Sequence, residues 1–234
     1  MAIRQRAIQA EDKQERHEAI LDAAERLLLR SPDRVASVSE VADEAGLAKG
    51  TVYLYFPSKE ELLLALHERN VQGFFRSLFA ILDAAAPVTV EHVLALTHRH
   101  MVDPPLFLPL ASRCFGLMAQ SIPPQTSLAF KQRMAERLER AGAGLERHFP
   151  ALGSGQGLAL LRHSYALILG LWQMSGATAV CPAASGGDAR APLAFSYPED
   201  LDLALTALWL GGVGEAVGGA AGVARTALPA AEAR

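Results

Sequence analysis

A chain of 234 residues, half of them hydrophobic and a fifth charged, can bury a full core as one large domain or two smaller ones, which excludes disorder of the whole. Its net charge of -3 sets up no global basic field, so any nucleic-acid binding has to rest on local residues. Two cysteines, Cys114 and Cys181, are too few for a disulfide framework, and the opening Met-Ala-Ile-Arg-Gln-Arg lacks the apolar stretch of a secretory signal, so a cytoplasmic setting is expected.

Residues 1–12 mix Arg4, Arg6, Glu11 and Asp12 without an apolar period and read as a flexible, solvated arm. From Glu15 onward Ile20, Leu21, Ala24, Leu27 and Leu28 fall on one helical face, and Ser31-Pro32-Asp33 ends that first helix. Ser37-Val38-Ser39-Glu40 is a capping box that starts a short helix carrying Val41, Ala42 and Ala45 inward, and Gly46 stands where a left-handed residue closes it. Leu47 to Tyr55 forms a third helix of barely two turns, stopped by Phe56-Pro57. A second capping box, Ser58-Lys59-Glu60-Glu61, opens a long fourth helix whose Leu62, Leu63, Leu66, Val71, Phe74, Phe75, Leu78 and Leu82 keep helical spacing.

Helical spacing continues over Val90 to Met101, Leu106 to Gln120, Gln125 to Phe149, Gly157 to Ala179 and Glu199 to Gly218, with proline- or glycine-rich breaks between. No run of alternating β-branched residues appears, so the fold class is all-α. The segment from Pro182 to Pro192 reads as a mobile loop, and residues 219–234 as a disordered tail. The two most apolar stretches are interrupted by Arg162, His163 and Gln173 and by Asp202 and Glu215. They therefore read as buried helices rather than membrane spans, which need about 20 predominantly apolar residues.

The second and third helices, joined through Ala45-Gly46-Leu47, have the form of a helix-turn-helix, in which the first helix braces the second and the second enters the major groove. Val52 and Phe56 fall on the core side of the second. The other positions offer a lysine charge, a threonine hydroxyl and methyl, and tyrosine hydroxyls on flat rings, all suited to DNA. From Gly46 to Lys59 there are two lysines and no carboxylate, so positive potential is confined to this face.

The run Val41-Ala42-Asp43-Glu44-Ala45-Gly46-Leu47-Ala48-Lys49-Gly50-Thr51-Val52-Tyr53-Leu54-Tyr55-Phe56-Pro57-Ser58-Lys59-Glu60-Glu61-Leu62 resembles the DNA-binding signature of the tetracycline-repressor family, and the resemblance covers roughly residues 15–65. It implies that Lys49, Gly50, Thr51 and Tyr53 face DNA on the recognition helix while Tyr55 and Lys59 hold phosphates. Ala48 departs from the pattern, since a small hydroxyl residue commonly caps the recognition helix there, and its absence should cost about 1 kcal/mol.

The same resemblance implies a homodimeric regulator of transcription, acting as a repressor that leaves its operator when a small apolar effector binds. The chain then divides into the arm (1–12), a three-helix helix-turn-helix DNA-binding domain (13–65), a larger helical effector-binding and dimerisation domain (66–218) and the tail (219–234). Phe107, Phe115, Met118, Tyr165 and Trp172 are the pocket candidates, although residues of these types equally describe any helical core. Pairing of the last two helices into a four-helix bundle is implied, and their small residues, among them Gly170, Ala207 and Gly211, would let two backbones approach. The implied partners are operator DNA, a second copy and the effector, with no membrane, cofactor or metal.

An enzyme and a ligand-binding scaffold without DNA activity are the rival readings. Of the seven histidines, His98 and His100 are two apart and do not share a helical face. No zinc-type spacing appears, Cys114 has no visible activating partner, and Ser154-Gly155 is not a nucleophile elbow, so no catalytic residue is expected.

Overall fold

The computed structural model describes residues 2–32, 34–179 and 196–214, and every regular element among them is helical. In chain order these are α1 (Ala2–Arg30), α2 (Val38–Ala45), α3 (Lys49–Tyr55), α4 (Lys59–Leu82), α5 (Val90–Thr97), α6 (Phe107–Gln120), α7 (Pro124–His148), α8 (Gln156–Ala179) and α9 (Tyr197–Val213), with a π-helical segment, His98–Val102, continuing α5.

The segment read as a flexible arm is helical from Ala2. Alanine, arginine, glutamine and glutamate are strong helix formers, and neither glycine nor proline interrupts them before Ser31, so the helix extends past the point where its apolar stripe begins. The fifth helix also differs from its expected span. It loses regular spacing at Thr97, and the amide of Asp103 reaches back five residues to the carbonyl of His98 at 2.9 Å. At the other end of the chain, Gly214 takes a left-handed φ of 76° and closes α9, where hydropathy alone continued to Gly218. The expected Pro182 to Pro192 loop and the 219–234 tail lie outside the described residues.

Two large hydrophobic clusters, with a small third one of Leu64, Ile122 and Phe130, organise the described residues. In the first, Ile20, Leu21 and Leu28 of α1, Val41 and Ala42 of α2, Val52 of α3 and Phe56 pack on Leu62, Leu63 and Leu66 of α4, with Leu110 and Cys114 of α6 completing it. The second gathers Val71, Phe74, Phe75 and Leu78 of α4 with Leu145 of α7, Ile168 of α8 and Leu201, Leu205 and Trp209 of α9. A division at residue 65 therefore falls inside α4, which belongs to both clusters. Helices α7 and α8 meet backbone to backbone, because a Cβ on Gly157 would lie 2.4 Å from the carbonyl oxygen of Gly142. Trp209 is tied to α8 by its indole N–H, which donates to Ser164 Oγ at 2.9 Å.

Candidate nucleic-acid interface and ligand cavity

The turn between α2 and α3 is three residues long. Ser37 and Glu40 form both bonds of the expected capping box, and Gly46 closes α2 at φ 67°. That left-handed angle favours glycine even though a Cβ there would touch nothing. Leu47 is half-buried between the helices and its amide donates to Ala42 O at 2.9 Å. The recognition helix then starts at Lys49, two residues later than expected, with Ala48 at its cap in an extended conformation and no side-chain bond to the helix amides.

Burial of Val52 and Phe56, four residues apart, fixes which side of α3 faces out. Lys49, Gly50, Tyr53 and Leu54 are exposed, while Thr51 and Tyr55 are half-buried. Lys49 Nζ lies 5.9 Å from the centroid of the Tyr53 ring. Leu54, which the sequence reading passed over, is the most exposed large apolar side chain among the described residues at 86%. Its place between Val52 and Phe56 was the available signal. Lys59 is exposed at the start of α4, with the Glu60 carboxylate 3.8 Å away. Ser58 caps α4 through the amide of Glu61, but Glu61 returns to the Ser58 hydroxyl instead of its amide, so the second expected box is only half formed. The other carboxylate oxygen of Glu61 is engaged by Thr126 of α7 at 2.9 Å.

The acids beside this face are occupied. Hydrogen bonds from Arg26 and Arg30 hold the Glu44 carboxyl below its usual range. The Ser37 amide, the Ser37 hydroxyl and Arg34 hold Glu40 at about 2. On α1, Glu18, Asp22 and Glu25 converge on Arg69 of α4 at 3.4, 2.6 and 2.5 Å. Lys49 and Lys59 are the cations this face itself carries, and Lys59 has the Glu60 carboxylate beside it.

A cavity of about 590 Å³ lies in the second cluster. Helix α4 contributes His67, Val71, Phe74 and Phe75, the π-helical turn Met101, α7 Phe130, Met134 and Leu138, and α8 a strip from Leu161 to Gln173. Of the five pocket candidates Tyr165 is in the lining. Phe107 is fully buried one layer behind, its ring 5.7 Å from that of His67, and Trp172 is half-buried outside the lining. The side chains of Phe115 and Met118 lie outside those described. Gly170, read as a dimer contact, lines the cavity, and a Cβ there would meet nothing within 4 Å. Ala207 and Gly211 are exposed on α9 along one stripe with Leu203, which is 71% exposed.

His67, also unread in the sequence, is 3% exposed, and its Nε2 lies 3.2 Å from the Tyr165 hydroxyl. Burial lowers its pKa to about 4 and pushes that of the Tyr165 phenol up. The next residue, Glu68, is not in the lining. Burial works to raise its pKa, and hydrogen bonds from Arg133 and Arg137 of α7 outweigh it and bring it down.

Residues 20–66 match the family model described as bacterial regulatory proteins, tetR family, and residues 68–214 match the tetracyclin repressor-like C-terminal domain. The fatty acid metabolism regulator protein of Bacillus subtilis is 27% identical over 127 residues, 54% of this chain and 62% of that protein. The regulator EthR of Mycobacterium tuberculosis is 43% identical over 79 residues, 34% of this chain and 37% of that one. The chain thus spans less than two thirds of the length of these curated relatives. SmeT, the repressor of the Stenotrophomonas maltophilia multidrug efflux pump SmeDEF, superposes with a TM-score of 0.52 at 23% identity over 83% of this chain and 89% of that one. A tetR-family regulator from Mesorhizobium loti superposes with 0.54 at 19% identity over 85% and 96%. At these identities the two superpositions speak to fold.

Proposed function

This chain belongs to the tetracycline-repressor family of bacterial transcription regulators, and from that premise we propose that it is a dimeric repressor which a small, largely apolar effector releases from operator DNA. The observation that carries the proposal is the span of α4. This single helix starts four residues after α3 ends, clamps α1 through Arg69, and two residues earlier and later supplies His67 and Val71 to the cavity wall. A ligand that shifts α4 must also shift the frame on which the recognition helix rests.

In this reading Lys49, Gly50, Thr51 and Tyr53 meet the major groove, and Tyr55 and Lys59 meet phosphates. The exposed stripe of Leu203, Ala207 and Gly211 on α9, together with Gly170 of α8, pairs with its copy about a two-fold axis, setting the two recognition helices one DNA turn apart, about 34 to 36 Å. The cavity volume lies within the roughly 300 to 1,000 Å³ range of small-molecule sites, and its wall is mostly apolar. Regulators of this family are not enzymes, so the chemistry here is binding chemistry.

The test is selection of binding sites from random-sequence duplex DNA, followed by titration of the selected site with and without compounds that raise the melting temperature of the protein. A specific site with two half-sites one turn apart, and a compound that weakens DNA binding and is itself bound more weakly by the complex by the same factor, is the expected result. Failure to enrich any sequence overturns the operator reading. Equal compound affinity for free and DNA-bound protein overturns the release.

A further inference from the structure

We propose that the cavity selects an uncharged, largely apolar molecule with one polar head, an alcohol or a carbonyl, and that His67 Nδ1 is the atom that binds this head. The inference deepens the effector reading above and rests on it. His67 stands in the cavity wall at 3% exposure, with its Nε2 at 3.2 Å from the Tyr165 hydroxyl, while its Nδ1 is buried and makes no hydrogen bond among the described residues. A buried polar atom left unpaired destabilises a protein, and a leucine would fill the position without that cost. An imidazole on the wall of a cavity is therefore intelligible if what enters the cavity pairs with it.

The neighbouring polar groups of the wall are already committed. The Thr97 hydroxyl donates to Val93 O at 2.9 Å, and the Ser164 hydroxyl donates to Leu160 O at 2.8 Å while accepting from Trp209. Gln173 donates to Ser112 at 3.1 Å on the exposed side. Among the described residues Nδ1 is thus the polar atom of the inner wall left without a hydrogen bond. It suits either kind of head, because Nδ1–H takes a carbonyl or hydroxyl oxygen and the other tautomer takes a hydroxyl proton.

The same surroundings reject charge. Burial keeps the imidazole neutral near pH 7 and the phenol protonated, so neither supplies a counter-ion. Besides His67, Arg162 is the ionisable cation among the described lining residues, and its side chain is exposed on α8. A carboxylate or ammonium carried to His67 would be desolvated without a partner.

The test uses the full chain near pH 7 with five probes of equal chain length: decan-1-ol, decan-2-one, decanoate, decylammonium and decane. Binding is followed by calorimetry. The alcohol should bind about tenfold more tightly than decane, the size of effect expected when a buried group gains its hydrogen bond, and both ions more weakly than the alcohol. His67→Leu should erase the gap between alcohol and decane and leave decane bound. Should that variant misfold, the 15N resonances of the His67 ring in the unaltered protein give the same information, moving with the alcohol and staying in place with decane.

Equal affinity of alcohol and decane, an unmoved His67 resonance, or decanoate as the tightest probe with its advantage lost in Arg162→Ala would overturn the proposal while leaving a ligand cavity in place. If none of the five saturates a site, the effector reading falls with it.

Discussion

Replacing Gly50 by alanine should raise the stability of the protein and lower its affinity for DNA. Gly50 is the second residue of the recognition helix, its φ is not positive, and a Cβ built on it meets nothing within 4 Å. The free protein therefore accepts the methyl group without strain. Glycine costs about 0.8 to 1 kcal/mol relative to alanine in a helix interior, and somewhat less in the first turn, so a gain of about 0.5 kcal/mol is expected. For a chain of this size that raises the melting temperature by about 1 to 2 °C. The open space around the missing Cβ is, in the proposed function, where the major groove comes close. A methyl group there should reduce operator affinity about tenfold or more, equivalent to about 1.4 kcal/mol. Differential scanning calorimetry and fluorescence anisotropy on one preparation give both signs. A rise in stability with unchanged affinity would take Gly50 off the DNA surface, and a fall in stability would refute the helix argument itself.

Lys59→Ala should weaken binding to selected and random DNA alike and reduce the slope of log affinity against log salt by about one, since a phosphate contact carries no sequence information; loss confined to the selected sequence would refute the assignment. Gly211→Trp, on an open α9 surface where a Cβ meets nothing within 4 Å, should leave helix content unchanged and shift sedimentation toward the monomer. An unaltered dimer would move the interface elsewhere. Stability should also depend on pH through His67, whose pKa burial lowers from 6.5 to about 4. Between those values the unfolded chain binds a proton that the folded chain refuses, so stability is full above the unfolded value and falls as pH drops toward 4, by at most about 3 kcal/mol. Urea midpoints at about pH 5 and about pH 7.5 should converge in His67→Leu, and a difference as large as in the unaltered protein would assign the effect to other groups.

What could be read in advance follows from how local each signal is. The α2–α3 unit is specified within some twenty residues: Ser37 with Glu40 starts it, Gly46 turns it, and Val52 with Phe56 orients its outer face. Each of these signals acts on backbone atoms no more than one helical turn away, so their consequences survive without knowledge of the rest of the fold. The second box failed in half for the opposite reason. Nothing near Ser58 announces that Thr126, on α7 and 65 residues beyond Glu61, bonds the Glu61 carboxylate. The π-helical turn after Thr97 is equally silent, because neither glycine nor proline marks it.

The cavity was the least legible feature, and its composition explains why. Val71, Phe74, Phe75 and Phe130 are the residues a core would use, and they differ from core only in having no neighbour on one side. That absence is produced jointly by α4, the π-helical turn, α7 and α8, so no window of sequence contains it. Small size carries the same ambiguity. A residue without a side chain suits the close packing of two helices and equally the wall of a cavity, and Gly170 lines the cavity. His67 is the instructive exception. A single histidine among Leu62, Leu63, Leu64 and Leu66 breaks the apolar stripe of α4, and a polar side chain at a core position is costly unless it is paired. The break was visible in the sequence. Its meaning required two further facts, the Tyr165 hydroxyl on one ring nitrogen and no partner on the other, and these become available only when α4 and α8 are brought together.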